Sequence, residues 1–226
     1  RIAVASNFTA AVQALKSRFE SASGDKVRIS TGSTGTLYAQ IRHGAPFDAF
    51  LAADARRPRL LEQEDRTVPG SRFTYARGRI ALWSPNPELV AGQETLSAAD
   101  FRHLAIANPR TAPYGLAAKQ TLQSLGLWAK LQPRIVRGEN IAQAHQYTAS
   151  GTAELGFVAL SQISGPNRPD SGSRWLVPAD LYDPIRQQAV LLKGAKDMHA
   201  AKAFLRFLKG PEAARVMRSF GYGTGS

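Results

Sequence analysis

RIAVASNFTAAVQALKSRFESASGDKVRISTGSTGTLYAQIRHGAPFDAFLAA, residues 1–53, holds the clearest pattern in the chain. It opens on Arg1-Ile2-Ala3-Val4-Ala5, a short apolar run with β-branched residues that reads as a buried strand. The run stops at Ser6-Asn7-Phe8-Thr9. Val12, Leu15, Phe19 and Ala22 then fall on one face of a helix, which Gly24 can close. Lys26-Val27-Arg28-Ile29-Ser30 alternates and reads as a second strand. A small polar loop, Thr31 to Thr36, leads into a short helix with Leu37 and Ile41 on one face and Gly44 as its stop. Asp48 to Ala53 reads as a third strand and Arg57 to Glu64 as a surface helix. Strand and helix thus alternate, the order that yields a mostly parallel sheet covered by helices.

Beyond a strand-like segment from Phe73 to Trp83 the pattern restarts. His103 to Ala107 reads as a strand and ends in Asn108-Pro109-Arg110-Thr111-Ala112-Pro113-Tyr114-Gly115. A helix follows, with Ala118, Leu122 and Leu125 at helical spacing. Arg134 to Arg137 reads as a strand, Gly138-Glu139-Asn140 leads into a helix from Ile141, and Leu155 to Leu160 reads as a buried strand. Gln187 to Leu192 reads as a strand returning to the first half. Two amphipathic helices close the chain, one lined by Ala201, Phe204, Leu205 and Leu208, the other by Ala213, Val216, Met217 and Phe220, with Gly210-Pro211 between them. The expected fold is α/β with two lobes, each a mixed, mostly parallel sheet flanked by helices. Residues 1–78 with 191–226 form one lobe and 79–190 the other, and the two crossings act as a hinge.

The composition removes whole classes of function. The 226 residues can bury one large core or two small ones. At 43% hydrophobic and 20% charged, the chain is neither disordered nor a coiled coil. No apolar run approaches the roughly 20 residues of a membrane span. There is no cysteine, which removes thiol catalysis and cysteine-ligated metals together. The net charge of +12 attracts anions of every kind, but the basic residues are scattered, with no arginine-rich arm. They read as a solvated basic surface rather than a nucleic-acid groove. The chain opens directly on a strand, so a targeting segment is expected to have been removed.

Chemistry concentrates at four strand-to-helix junctions: Ser6-Asn7, Ser33-Thr34, Pro113-Tyr114 and Asn140-Ile141. None carries a charged side chain at the turn itself. A helix N-terminus exposes unpaired N–H groups and a partial positive charge, and hydroxyls or amides beside it add donors. One such junction is an ordinary N-cap. Two from each α/β unit, facing across a cleft, would surround a small anion with neutral donors.

Seven segments make a resemblance specific. They are Ala5-Ser6-Asn7-Phe8, Gly32 to Ile41, Gly44-Ala45-Pro46-Phe47-Asp48, Pro69 to Ala76, Ala112 to Ala117, Leu155 to Leu160 and Leu208 to Ala213. In these the chain resembles the periplasmic molybdate-binding proteins of molybdate ABC importers, a group of type II periplasmic binding proteins. The resemblance implies an extracytoplasmic receptor that captures molybdate or tungstate in an interlobe cleft and delivers it to a membrane permease. It also implies a monomer in the periplasm with no cofactor and no enzymatic activity. Carried over by position, it implies Asn7 with Ser6 beside it, Thr34 with Ser33 as neighbour, and the backbone N–H groups of Tyr114 and Ile141. Many members place a ligand-binding tyrosine just after the buried strand of the second lobe; here that position reads Val158-Ala159-Leu160. A branch of the family without the tyrosine uses an asparagine at the first junction, and Asn7 fits it.

Rival classes find little support. His43, His103, His145 and His199 are far apart and form no metal-binding pattern. Gly32-Ser33-Thr34-Gly35 lacks the spacing of a nucleophile elbow. Gly221 to Gly225 has no helix after it and reads as a tail rather than a nucleotide loop. Trp83, Trp128 and Trp175 are isolated, where a nucleic-acid surface needs aromatics among clustered arginines. Asn7-Phe8-Thr9 matches a glycosylation sequon but lies where the cleft should be, so it reads as coincidence. Another tetrahedral oxyanion such as sulfate remains the alternative ligand.

Overall fold

The computed structural model describes residues 1–98, 101–166 and 171–224. The chain divides into two compact units, Arg1–Arg77 with Arg186–Ser226, and Gly78–Ile185.

Unit 1 begins with β1 (Ile2–Ala5), α1 (Thr9–Ser23), β2 (Ile29–Gly32), α2 (Thr34–Arg42), β3 (Ala49–Leu51), α3 (Arg56–Gln63) and β4 (Phe73–Gly78). Unit 2 follows with β5 (Ile80–Ser84), α4 (Thr95–Ala98), β6 (Leu104–Ala107), α5 (Pro113–Ser124), α6 (Trp128–Leu131), β7 (Ile135–Gly138), α7 (Ile141–Ala149), β8 (Leu155–Ala159), α8 (Leu160–Ile163) and β9 (Ser173–Leu176). Strand β10 (Ile185–Leu191) returns to unit 1, which ends with α9 (Met198–Leu208), α10 (Pro211–Ser219) and β11 (Gly223–Thr224).

The sheet of unit 1 has the order β11-β4-β10-β3-β1-β2. Strand β1 is parallel to β2 and to β3, and β10 runs antiparallel to β3. Alternation sends Ile2, Val4, Ala49, Leu51, Ala189 and Leu191 to one face, where α1, α9 and α10 bury Leu15, Phe19, Phe204 and Val216. Ala3, Phe50, Ala52 and Val190 point to the other face, against Leu37 and Ile41 of α2 and Leu61 of α3. Helices on both faces explain why these strands read as continuous apolar runs. Each of these large side chains stabilises the unit by about 1.5–3 kcal/mol. Gly24 ends α1 with φ of 79°, a left-handed turn that costs glycine nothing.

The sheet of unit 2 has the order β7-β6-β8-β5-β9. Strand β6 is parallel to β7 and β8, while β5 runs antiparallel to β8 and β9. Helix α5 lies so close to β6 that a Cβ on Gly115 would sit 2.2 Å from the Ala107 carbonyl oxygen. Glycine is what lets the start of α5 dock there.

Four readings change. The second strand is Ile29–Gly32 rather than 26–30, because the ladder with β1 starts by pairing Ile2 with Ile29. The segment Phe73 to Trp83 is two strands, not one: β4 belongs to the first sheet and β5 to the second. Leu160 leaves the buried strand and starts α8, since Gln162 Oε1 accepts the Ala159 N–H at 2.9 Å and closes the helix start. The glycine-rich end is not a loose tail: Gly223 and Thr224 pair antiparallel with Arg77 and Ala76, and Tyr222 is buried. Gly225 lies outside the described residues.

Candidate functional site

Parallel pairing brings the junctions of each unit together. Ala5 opposes Gly32, so the residues that follow them, Ser6-Asn7 and Ser33-Thr34, leave neighbouring strands side by side. All four are buried. In unit 2 Ala107 opposes Gly138, and the Asn108 N–H donates to the Gly138 carbonyl at 2.7 Å. The chain then enters α5 at Pro113-Tyr114 and α7 at Asn140-Ile141. Tyr114 and Ile141 are buried too. Each unit therefore places its two junctions at the carboxyl edge of its sheet, where α/β folds bind ligands.

Ser33 is the N-cap of α2. Its Oγ accepts the Thr36 N–H at 3.1 Å and lies 2.7 Å from Thr36 Oγ1. The N–H groups of Thr34 and Gly35 are left uncapped. Thr34 Oγ1 accepts the Ala53 N–H at 3.0 Å from the segment following β3. That bond consumes a lone pair and leaves the hydroxyl proton for donation. Accepting from Ala53 and donating a proton thus use different parts of the same Thr34 hydroxyl. Among the described residues the Ser6 hydroxyl has no hydrogen-bond partner.

Asn7 is held differently. Its Nδ2 donates to Gln187 Oε1 at 2.8 Å and to the Tyr222 hydroxyl at 3.0 Å, so both amide hydrogens have acceptors inside unit 1. The Tyr222 hydroxyl donates back to the Asn7 carbonyl at 2.7 Å. An amide so buried and so engaged is no glycan acceptor, and the sequon at Asn7-Phe8-Thr9 is coincidental.

At α7 the Asn140 side chain accepts the N–H groups of Ala142 and Gln143 at 2.9 and 3.2 Å. The first N–H, that of Ile141, stays uncapped. Gln162 Nε2 donates to the Ile141 carbonyl at 3.0 Å and fixes that turn from α8. At α5, Pro113 occupies the first turn and lacks an N–H, so the helix presents its first donor at Tyr114.

The charge near these turns is muted. Asp54, just after Ala53, accepts the Arg57 N–H at 3.0 Å, and Arg57 Nη1 stands 2.5 Å from its other oxygen. The Tyr75 hydroxyl lies 3.1 Å from Gln187 Oε1 and 3.1 Å from the Ala52 carbonyl, and its one proton is shared between these two acceptors. Burial first, then Tyr222 and Asp54, hold its hydroxyl well above the usual 10, so it stays a protonated donor. Among the described residues no three His, Asp or Glu side chains gather into a metal site. His43, His103 and His199 are exposed, and His145 stacks on Trp83 at 5.2 Å. An apolar groove of about 540 Å³ in unit 1, floored by Val68, Phe73 and Leu205, includes none of the junction residues.

Sequence reasoning missed the supports. Gln187 and Tyr222 stand 180 and 215 positions from Asn7, and no local pattern links them. Gln162 was readable, since a glutamine at the third position of a helix is a known capping signal.

Three similarities bear on the chain. It is 53% identical over 224 residues to the molybdate-binding protein ModA of Azotobacter vinelandii, covering 99% of this chain and 89% of that one. It is 46% identical over 222 residues to the ModA of Rhodobacter capsulatus, covering 98% and 87%. The solved Azotobacter vinelandii periplasmic molybdate-binding protein superposes with a TM-score of 0.97 at 44% identity, covering 100% of this chain and 99% of that one. The model of the bacterial extracellular solute-binding protein family matches residues 1–223, and the chain belongs to that family.

Proposed function

We propose that this chain is a periplasmic receptor that captures molybdate, with tungstate as a near-equal ligand, and delivers it to an ABC importer. The observation that carries this reading is the donor character of the four junctions. They offer the hydroxyls of Ser6, Ser33 and Thr34 and the N–H groups at Tyr114 and Ile141, with no charged side chain at any turn. Asn7, whose two amide hydrogens are engaged within unit 1, stands beside Ser6 and shapes that junction rather than donating from its side chain. Each unit contributes two of the four junctions to this donor set. The likeness to the two ModA proteins supports the choice of ligand.

The physics suits a tetrahedral dianion. Molybdate has four acceptor oxygens and no proton to donate at neutral pH. Donors already fixed at helix starts satisfy it without reorganisation and oppose a protonated oxyanion, which would set donor against donor. Sulfate has the same charge and shape but shorter bonds. Each charge-assisted hydrogen bond is worth about 1.5–3 kcal/mol, so failing to reach two of them rejects sulfate by orders of magnitude. Tungstate matches molybdate in size and should be barely separated from it. The chain is a carrier on this reading, acting as a monomer with a membrane permease as its partner.

Calorimetric titration with molybdate, repeated in excess sulfate, tests the proposal. Saturable 1:1 heat that survives sulfate upholds it. Binding of sulfate with no response to molybdate transfers the site to the other oxyanion. No heat with either refutes an oxyanion receptor.

A further inference from the structure

We propose that Gln187 is a positioning residue for the anion site, acting through Asn7, and that Tyr222 shares this role. The inference rests on the oxyanion reading above and names residues that the junctions themselves do not contain. Gln187 is fully buried in β10, a strand otherwise apolar from Ala189 to Leu191. A buried amide costs stability unless it is bonded, and here its Oε1 accepts twice, from Asn7 at 2.8 Å and Tyr75 at 3.1 Å. Tyr222 grips Asn7 at two points, accepting from Nδ2 at 3.0 Å and donating to the carbonyl at 2.7 Å. The side chain and the peptide of Asn7 are therefore both fixed. The next residue is fixed as well: the Phe8 ring meets Tyr75 at 4.9 Å and Tyr222 at 5.3 Å, edge to face.

The positions of these residues along the chain give the network its consequence. Tyr75 lies just before Arg77, where the chain leaves unit 1, and Gln187 just after Arg186, where it returns. The two connecting strands are thus hydrogen-bonded to each other and, through Gln187, to Asn7. The Tyr75 hydroxyl, kept protonated by burial, holds Gln187 Oε1 in its accepting orientation.

The test is a double-mutant cycle on the full chain. Gln187→Met keeps the volume and removes the acceptor; Tyr222→Phe is the second variant should the first fail to fold. Molybdate affinity is measured by calorimetry in wild type, Gln187→Met, Asn7→Ala and the double variant. The expected result is a loss of about tenfold in Gln187→Met that disappears when Asn7 is already alanine. An affinity within about twofold of wild type, or a loss undiminished in the Asn7→Ala background, overturns the proposal. A ligand-free readout separates this from failure of the oxyanion reading. The Asn7 side-chain amide, assigned in NMR spectra by its absence from Asn7→Ala, should exchange slowly with water in wild type and faster in Gln187→Met. If wild type binds no oxyanion the functional reading falls, and the exchange rate alone decides: acceleration upholds the positioning of Asn7, and no change refutes it.

Discussion

Replacing Thr34 by valine separates the two jobs assigned to one hydroxyl. Valine has the same shape, so the packing of this residue, 1% exposed, is retained. Two bonds are lost. The proton offered to the anion goes, and a hydrogen bond to a charged partner is worth about 1.5–3 kcal/mol, which weakens binding by roughly 10- to 150-fold. The Ala53 N–H, now 3.0 Å from Thr34 Oγ1, loses its acceptor. A buried orphan donor costs about 1–3 kcal/mol, or roughly 2–12 °C in Tm for a chain of this size. Thr34→Ser is the control: it keeps both bonds and loses one methyl, about 1 kcal/mol of stability. Calorimetric titration well below the unfolding temperature reads the affinities, and scanning calorimetry reads Tm. The valine variant should lose both quantities, the serine variant mainly a little stability. Wild-type affinity in Thr34→Val, or equal losses in both variants, would refute the assignment of this hydroxyl as a donor.

Gly115→Ala should destabilise the chain by about 1–3 kcal/mol and weaken molybdate binding together, because its Cβ would meet the Ala107 carbonyl oxygen at 2.2 Å and push the start of α5 off β6; an unchanged Tm would sink that account. The net charge of +12 should make the association rate of the dianion fall steeply from low to high salt, while dissociation from the desolvated junctions changes little, which stopped-flow fluorescence can read. Glu154 is desolvated by burial, which pushes its carboxyl up, but hydrogen bonds from His103 N–H and Arg102 outweigh this and leave it below its ordinary 4.5. The folded value is the lower one, so its stabilising effect is present above pH 4.5 and lost as pH falls through the folded value. Glu154→Gln should lower Tm at neutral pH and converge with wild type in acid; an equal deficit at both would argue for packing rather than charge.

The alternation of strand and helix over residues 1–53 was legible because both periodicities arise from local geometry. Val12, Leu15 and Phe19 face the core, as their spacing requires, while Ala22 in the last turn is exposed, and Gly24 closes the helix in a conformation that favours glycine. The chemistry at the junctions was legible for a similar reason. Small hydroxyl and amide residues at the end of an apolar run predict a helix start, and a helix start has donors to spare.

Other features were invisible along the chain because they depend on partners distant in sequence. Nothing in Phe73 to Trp83 marks the point where one strand ends and another begins; the break exists because its two halves pair with different sheets. The adjacency of Ser6 and Ser33 follows from the register Ala5 to Gly32, which pairing sets and composition does not. The conversion of Asn7 from a lone polar residue into a clamped one comes from Gln187 and Tyr222, reached only once the chain has returned to unit 1. Local residue types specify which backbone groups lack partners, since that is a matter of a few neighbouring dihedrals. Which of those groups stand together, and what holds them rigid, is a property of long-range pairing and burial.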